Sequence, residues 1–218
     1  RRDYDLLVLN QSVGFGNGQL LPAGPMRERR GALQRADALV LIESFGIEPS
    51  HGFPVLDIMR GKPVLRAQLE PSCLIRSESG NWHEAPLRLN GRRVAAVSGV
   101  ANPAGFHAMI NALGAKVLDR LVYPDHYVYG PSDWKKIVAF RGEAEMVITT
   151  EKDLVKLEHL AAPEYPLYAL RLKVAMEAQD ESQLLSLIIE RINHARRARA
   201  DSFEVEGGTI SGSESRPA

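Results

Sequence analysis

From Arg93 to Val174 short apolar runs alternate with segments of helical character at close spacing, and that alternation predicts a layered α/β fold with a largely parallel sheet. Val94–Ser98 reads as a strand. Pro103–Leu113 reads as a helix, with proline in its first turn and Gly114 just past its end. Ala115–Val122 predicts the next strand, Ser132–Phe140 a helix, Met146–Thr149 a strand, Glu151–Leu160 a helix, and Tyr168–Val174 a last strand. Ahead of this series Tyr4–Leu9, Ala38–Ile42 and Pro63–Leu69 also read as strands, and Arg27–Arg35 as a short crossover helix. Tyr4–Leu9 shows no polar alternation, so it is expected to be covered on both faces.

The organisation that follows has four parts. Residues 1–70 form one half of the core, and 71–92, with turn signals at Gly80-Asn81 and Asn90-Gly91, form a hairpin or long loop. Residues 93–199 form a second α/β half. It ends in a helix capped by Asp180, with Leu185, Ile188, Ile189 and Ile192 at helical spacing and Arg191, His194, Arg196, Arg197 and Arg199 near its end. That basic end is either a solvated face that complements the helix dipole or a contact for phospholipid head groups. Residues 200–218 are rich in Ser, Gly and Glu and are expected to be disordered.

Charge narrows the possible partners. Lys plus Arg and Asp plus Glu number 27 each among 218 residues, so no overall field recruits nucleic acid or an anionic membrane, and any basic patch must be local. No window approaches the run of about 18 apolar residues that a membrane span needs. Cys73 is the one cysteine, so no internal disulfide forms. The first residue is Arg1 rather than Met, and a strand begins almost at once, which leads us to expect a piece of a longer protein.

Three polar clusters follow strands, where parallel sheets gather ligands. The first, Asn10 to Asn17, runs into the alternate glycines Gly14, Gly16 and Gly18. A dinucleotide site needs its third glycine three residues after the second, and a helix there; Gly18 is too early, and Pro22, Gly24 and Pro25 forbid the helix. The second cluster is Tyr123-Pro124-Asp125-His126-Tyr127. An imidazole beside a carboxylate can handle a proton, although Pro-Asp is also ordinary turn chemistry. The third, Thr149-Thr150-Glu151-Lys152-Asp153, supplies a helix cap, and with Lys152 the same place suits a phosphate.

Taken together, several motifs resemble the tetraacyldisaccharide 4'-kinase family. They are Phe15-Gly16-Asn17-Gly18 with Leu21 to Glu28, Gly99-Val100-Ala101-Asn102-Pro103 with Phe106, Pro124-Asp125-His126, and Thr150-Glu151-Lys152-Asp153 with Val155 and Lys156. The resemblance runs from Arg2 to about Leu172. It implies a P-loop-type kinase that moves the γ-phosphoryl group of ATP, with Mg²⁺, to the 4'-hydroxyl of a tetraacylated glucosamine disaccharide 1-phosphate. The implied setting is the cytoplasmic face of a bacterial inner membrane. His126 and Asp125 match the family's catalytic Asp-His motif, and Asn17, Arg27, Thr150 and Lys152 are implied contacts for substrate or phosphate.

The departures from the family are specific. No G-x-x-x-x-G-K-[ST] loop occurs in this sequence, so nucleotide-binding residues cannot be assigned; that loop and an Asp-Asp-Gly-x-Gln-His motif are expected upstream. The family's acid at the end of the first strand is Asn10 here, and the basic residue before Gly-Phe-Gly is Val13. A neutral amide attracts Mg²⁺ less than a carboxylate does. These changes leave open an alternative, a non-catalytic domain that binds an acylated sugar or a partner. A sugar-nucleotide-binding α/β domain is a further alternative.

Overall fold

The computed structural model describes residues 3–45, 59, 61–78, 81–140, 142–161 and 167–207. Eight strands make one sheet: β1 (Leu6–Asn10), β2 (Ala38–Ser44), β3 (Val64–Glu78), β4 (Asn81–Ala85), β5 (Arg93–Ser98), β6 (Lys116–Val122), β7 (Met146–Thr150) and β8 (Leu167–Ala175). Their order is β1-β2-β3-β8-β7-β5-β6, with β4 paired to β3. The α-helices are α1 (Pro103–Ala112), α2 (Pro131–Phe140), α3 (Glu151–Leu157) and α4 (Ala178–Gly207), and a 3-10 helix spans Arg30–Arg35.

The sheet is two parallel blocks set head to head. Strands β1, β2 and β3 run together, as do β8, β7, β5 and β6, but β3 and β8 are antiparallel. At 15 residues β3 is roughly 50 Å long, enough to pair with β2 through its first part and with β8 and β4 through its second. As a result the carboxyl ends of the two blocks run toward one another. Asn10 lies in register with Ile42 and Ala67, and Thr150 with Leu170 and Leu74, so both ends abut the middle of β3.

Helices cover each face. On one, Phe106, Met109 and Ile110 of α1 pack on Val94, Ala96, Ile148 and Leu170, and Leu184 of α4 with Met176 packs on Val40, Leu65 and Ala67. On the other, Trp134 and Ile137 of α2 and Leu154 and Leu157 of α3 pack on Ile75, Val97, Val147 and Ala169, while Leu33 covers Leu39 and Leu41. A bulge between Pro71 and Cys73 keeps Leu69 and Leu74 on the α1 and α4 face. Over the β3–β8 seam on that face no helix among the described residues closes the gap, and Leu172 and Val174 stay 37% and 60% exposed.

The fold class expected from the sequence is the one observed, and the differences lie at its edges. Strand β1 is not covered on both faces: it is the outer strand, and Leu6 and Val8 are 38% and 51% exposed while Leu7 and Leu9 pack inward. The segment Arg27–Arg35 supplies a 3-10 turn in place of a crossover helix. Asp180 is the third residue of α4 rather than its cap, and its carboxylate accepts the Arg66 N–H at 3.0 Å, which ties the helix to β3. The stripe Leu185, Ile188, Ile189 and Ile192 faces outward, because Leu184 makes the core contact. Helix α4 continues to Gly207, through residues 200–207 of the expected tail, where no proline interrupts it; 208–218 lie outside the described residues, as does Gly80 of the expected hairpin turn.

Ile75 is fully buried and lies on the strand both blocks share. Ile75→Ala is expected to lower unfolding free energy by about 2–5 kcal/mol. Urea denaturation followed by tryptophan fluorescence measures this.

Candidate functional site

Each of the three polar clusters sits at the carboxyl end of a strand, after β1, β6 and β7. After β7 the chain turns directly into α3. The Thr150 hydroxyl caps that helix by accepting the Asp153 N–H at 3.1 Å, and it donates to the Asp153 carboxylate at 2.8 Å. A cap of this kind stabilises a helix start by about 1 kcal/mol. Asp153 is completely buried, and the same oxygen also accepts the Gly99 N–H at 2.8 Å, so the end of β5 is fastened to the start of α3.

Gly99 is required here by space. A Cβ at this position would lie 2.8 Å from the Tyr129 hydroxyl and 3.0 Å from an Asp153 oxygen. Around this point the rings of Tyr123, Tyr127 and Tyr129 meet with centroids 4.6 to 5.3 Å apart, and Lys156 donates to the Tyr127 carbonyl at 3.1 Å. Burial, and then the Asp153 carboxylate, push the Tyr129 phenol far above its ordinary range; burial followed by Asp133 does the same, less strongly, to Tyr123 and Tyr127.

Above this platform lies the turn after β6. His126 adopts a left-handed backbone with φ of 62°, steadied by its N–H, which donates to the Asp125 carboxylate at 2.9 Å. Its side chain is 81% exposed, with Nε2 3.7 Å from Asp125. The Asp125 carboxylate has a closer partner: Lys152 Nζ donates to it at 2.6 Å and, with the His126 N–H, holds its carboxyl below the usual range. The adjacent Asp and His therefore share a turn, while the Asp serves a lysine from α3.

Asn10, Asn102, Thr150 and Lys152 line one cleft of about 350 Å³, whose remaining walls include Val100, Phe106 and Met109. Two blocks of the sheet thus contribute to a single crevice, and the Asp125–Lys152 pair attaches the His126 turn to its rim. Asn102 also caps α1, accepting the Gly105 N–H at 2.9 Å.

The loop after β1 is built differently. Gly14, Gly16 and Gly18 all take positive φ, the conformation that three alternate glycines supply most cheaply. Leu20 bridges to Met26, and the Asn17 side chain donates to the Ala23 carbonyl at 2.8 Å while accepting the Gln19 N–H at 3.1 Å. Asn17 is thus occupied in holding its own loop. Arg27 lines a second cleft of about 300 Å³ over Leu7, Leu9 and Phe15, rimmed by Arg29, Arg30 and Arg35. Of the expected site residues, Thr150 and Lys152 share the first cleft with Asn10, Asp125 and His126 adjoin it, and Arg27 lines the second.

The model of the tetraacyldisaccharide-1-P 4'-kinase family, LpxK, matches residues 1–193. The chain belongs to this family. It is 33% identical over 204 residues to the tetraacyldisaccharide 4'-kinase of Syntrophus aciditrophicus, covering 87% of this chain and 53% of that protein. It is 38% identical over 164 residues to the corresponding protein of an Anaeromyxobacter species, covering 72% and 43%. A crystal structure of LpxK from Aquifex aeolicus in complex with ATP superposes with a TM-score of 0.59 at 33% identity, covering 88% of this chain and 53% of that one. The chain spans about half the length of the curated relatives it matches.

The residues present do not by themselves fit Mg-ATP. Among the described residues no group of three or more His, Cys, Asp and Glu is placed to hold a metal ion, and the Asn10 side-chain oxygen accepts both the N–H and the hydroxyl of Ser12. The phosphate loop is likewise absent from the sequence.

Reading the sequence missed the structural part of the site. Asp153 had a signal, since Thr and an acid three residues apart form a reciprocal cap. The Tyr123, Tyr127 and Tyr129 cluster had none, because a loop imposes no periodicity. Arg171 of β8, which binds Glu151 and Glu84 at 2.8 Å each, lies 20 residues or more from its partners in sequence.

Two outcomes follow. In Lys152→Met the Asp125 carboxyl should titrate at higher pH than in the parent chain, as read by carboxyl-carbon NMR. The three phenols have raised pKa values in the fold, so they contribute stability below the free phenol's value of about 10 that is lost as pH rises beyond it. Denaturant unfolding between pH 9 and 12 should therefore show falling stability, with a shallower fall in Tyr129→Phe (approximate range set by the free phenol).

Proposed function

We propose that this chain supplies the acceptor side of an ATP-dependent 4'-kinase acting on a tetraacylated disaccharide 1-phosphate. Family membership over residues 1–193 supports the reaction class. The observation that carries the assignment to this part of the protein is the crevice in which Asn10 and Lys152 meet, with Lys152 bound to the Asp of the Asp-His turn.

In this reading ATP, which the Aquifex aeolicus relative binds, supplies the phosphoryl group. The work of this chain is to place the sugar hydroxyl and handle its proton. His126 presents an exposed imidazole able to take the proton from the attacking 4'-hydroxyl, with Asp125 positioned to favour the imidazolium that forms. Lys152, which lines the cleft, is assigned to a phosphate oxygen, and Thr150, whose hydroxyl is committed to Asp153, holds the helix start beside it. Arg27, on the arginine-rimmed second cleft, is assigned to the substrate's 1-phosphate. No helix among the described residues is long and apolar enough to cross a membrane. The outward stripe of α4, with Arg196 and Arg197 near it, suits peripheral contact with an inner-membrane surface.

The test is kinase activity of the product of the complete open reading frame that encodes this chain, with Mg-ATP and a tetraacylated disaccharide 1-phosphate. His126→Ala should lower kcat by about 10²- to 10⁴-fold with unchanged folding by circular dichroism, and Arg27→Ala should act mainly on KM. Full turnover in His126→Ala would remove the reading. A chain that binds the lipid yet stays inactive even as Asn10→Asp would favour the non-catalytic alternative.

A further inference from the structure

The crevice at the meeting of the two blocks has a polar rim and an apolar floor. Lys152, Thr150, Asn102 and Glu151, the last paired with Arg171, stand on one side and Asn10 on the other, and the floor is the seam of the sheet, Leu69 on β3 with the buried Leu170 and the partly exposed Leu172 on β8. Phe106 and Met109 of α1 make the side wall. Among the described residues nothing fills the gap between α1 and α4 over this floor, and Leu172 is 37% exposed.

Such a lining selects its occupant. A bare sugar or phosphate would satisfy the rim but leave the leucine floor wet, and a plain hydrocarbon would strip water from Lys152 without replacing it. An amphiphile satisfies both. We propose that the cleft seats one acyl chain of the lipid substrate along Leu69, Leu170 and Leu172, with the polar head at Lys152. This rests on the lipid-sugar reading given above, whose family name supplies a ligand with both properties. About 350 Å³ is near the lower end for small-molecule sites, so the cleft takes one chain rather than four. The remaining chains stay outside it.

The probe is a series of n-hexyl, n-octyl and n-decyl phosphates below their micelle concentrations, with inorganic phosphate as the chainless control. Binding to this chain is followed by calorimetry and by the methyl NMR signal of Met109. A single site is expected whose affinity rises about fourfold for each added methylene, as full burial of that group predicts. Leu172→Asn, at a partly exposed position, should flatten the dependence on length with an unchanged circular dichroism spectrum. Lys152→Met should weaken every alkyl phosphate by a similar factor and leave that dependence intact. Affinity independent of chain length, a dependence that survives Leu172→Asn, or an unmoved Met109 signal overturns the proposal. None of these outcomes touches the kinase reading, because alkyl phosphates have neither the sugar hydroxyl nor a need for His126.

Discussion

The ladder between β3 and β8 is the interaction on which the rest of this protein depends. Each backbone hydrogen bond contributes only about 0.5–1.5 kcal/mol net, but this ladder alone joins two otherwise separate parallel blocks in one sheet. It is antiparallel, and that direction decides where chemistry can occur. Had the blocks been joined in parallel, the ends of β1 and β7 would lie along one edge; joined head to head, they close on a common crevice. Pro71 stands in the middle of the ladder, where a residue without an N–H is tolerated because the strand bulges there.

The site divides into a rigid base and an exposed top. Asp153, sealed beneath the tyrosine rings, takes hydrogen bonds from the end of β5 and the start of α3, and so fixes two backbone ends with one carboxylate. His126 projects from a left-handed turn into solvent. Lys152 spans the two levels, because its backbone belongs to the capped helix and its amine to the turn. The position of the imidazole is thus set by the buried cap one residue beyond Lys152.

The second block was legible in the sequence because each of its elements has local causes. Pro103 and Asn102 begin α1, Thr150 caps α3, and the apolar runs of β5 and β7 are unbroken. The strand direction at the seam was not legible, since it is decided by pairing between residues about 100 apart, such as Leu74 and Leu170. The length of β3 was hidden by Pro71 and Ser72, which look like its end. The loop bonds of Asn17 were not legible either, because an amide suited to a sugar hydroxyl suits a loop carbonyl equally well. Lys152 is marked in the sequence only by its charge, and its ion pair with Asp125 had no sequence signal.

Strand β1 has a neighbour on one side only among the described residues, and it turns Leu6 and Val8 outward without a guarding lysine or proline. A bare aliphatic border of that kind is a template for any extended peptide that drifts against it. A peptide seated along that border would run beside Leu6 to Asn10 and reach the crevice that Asn10 lines.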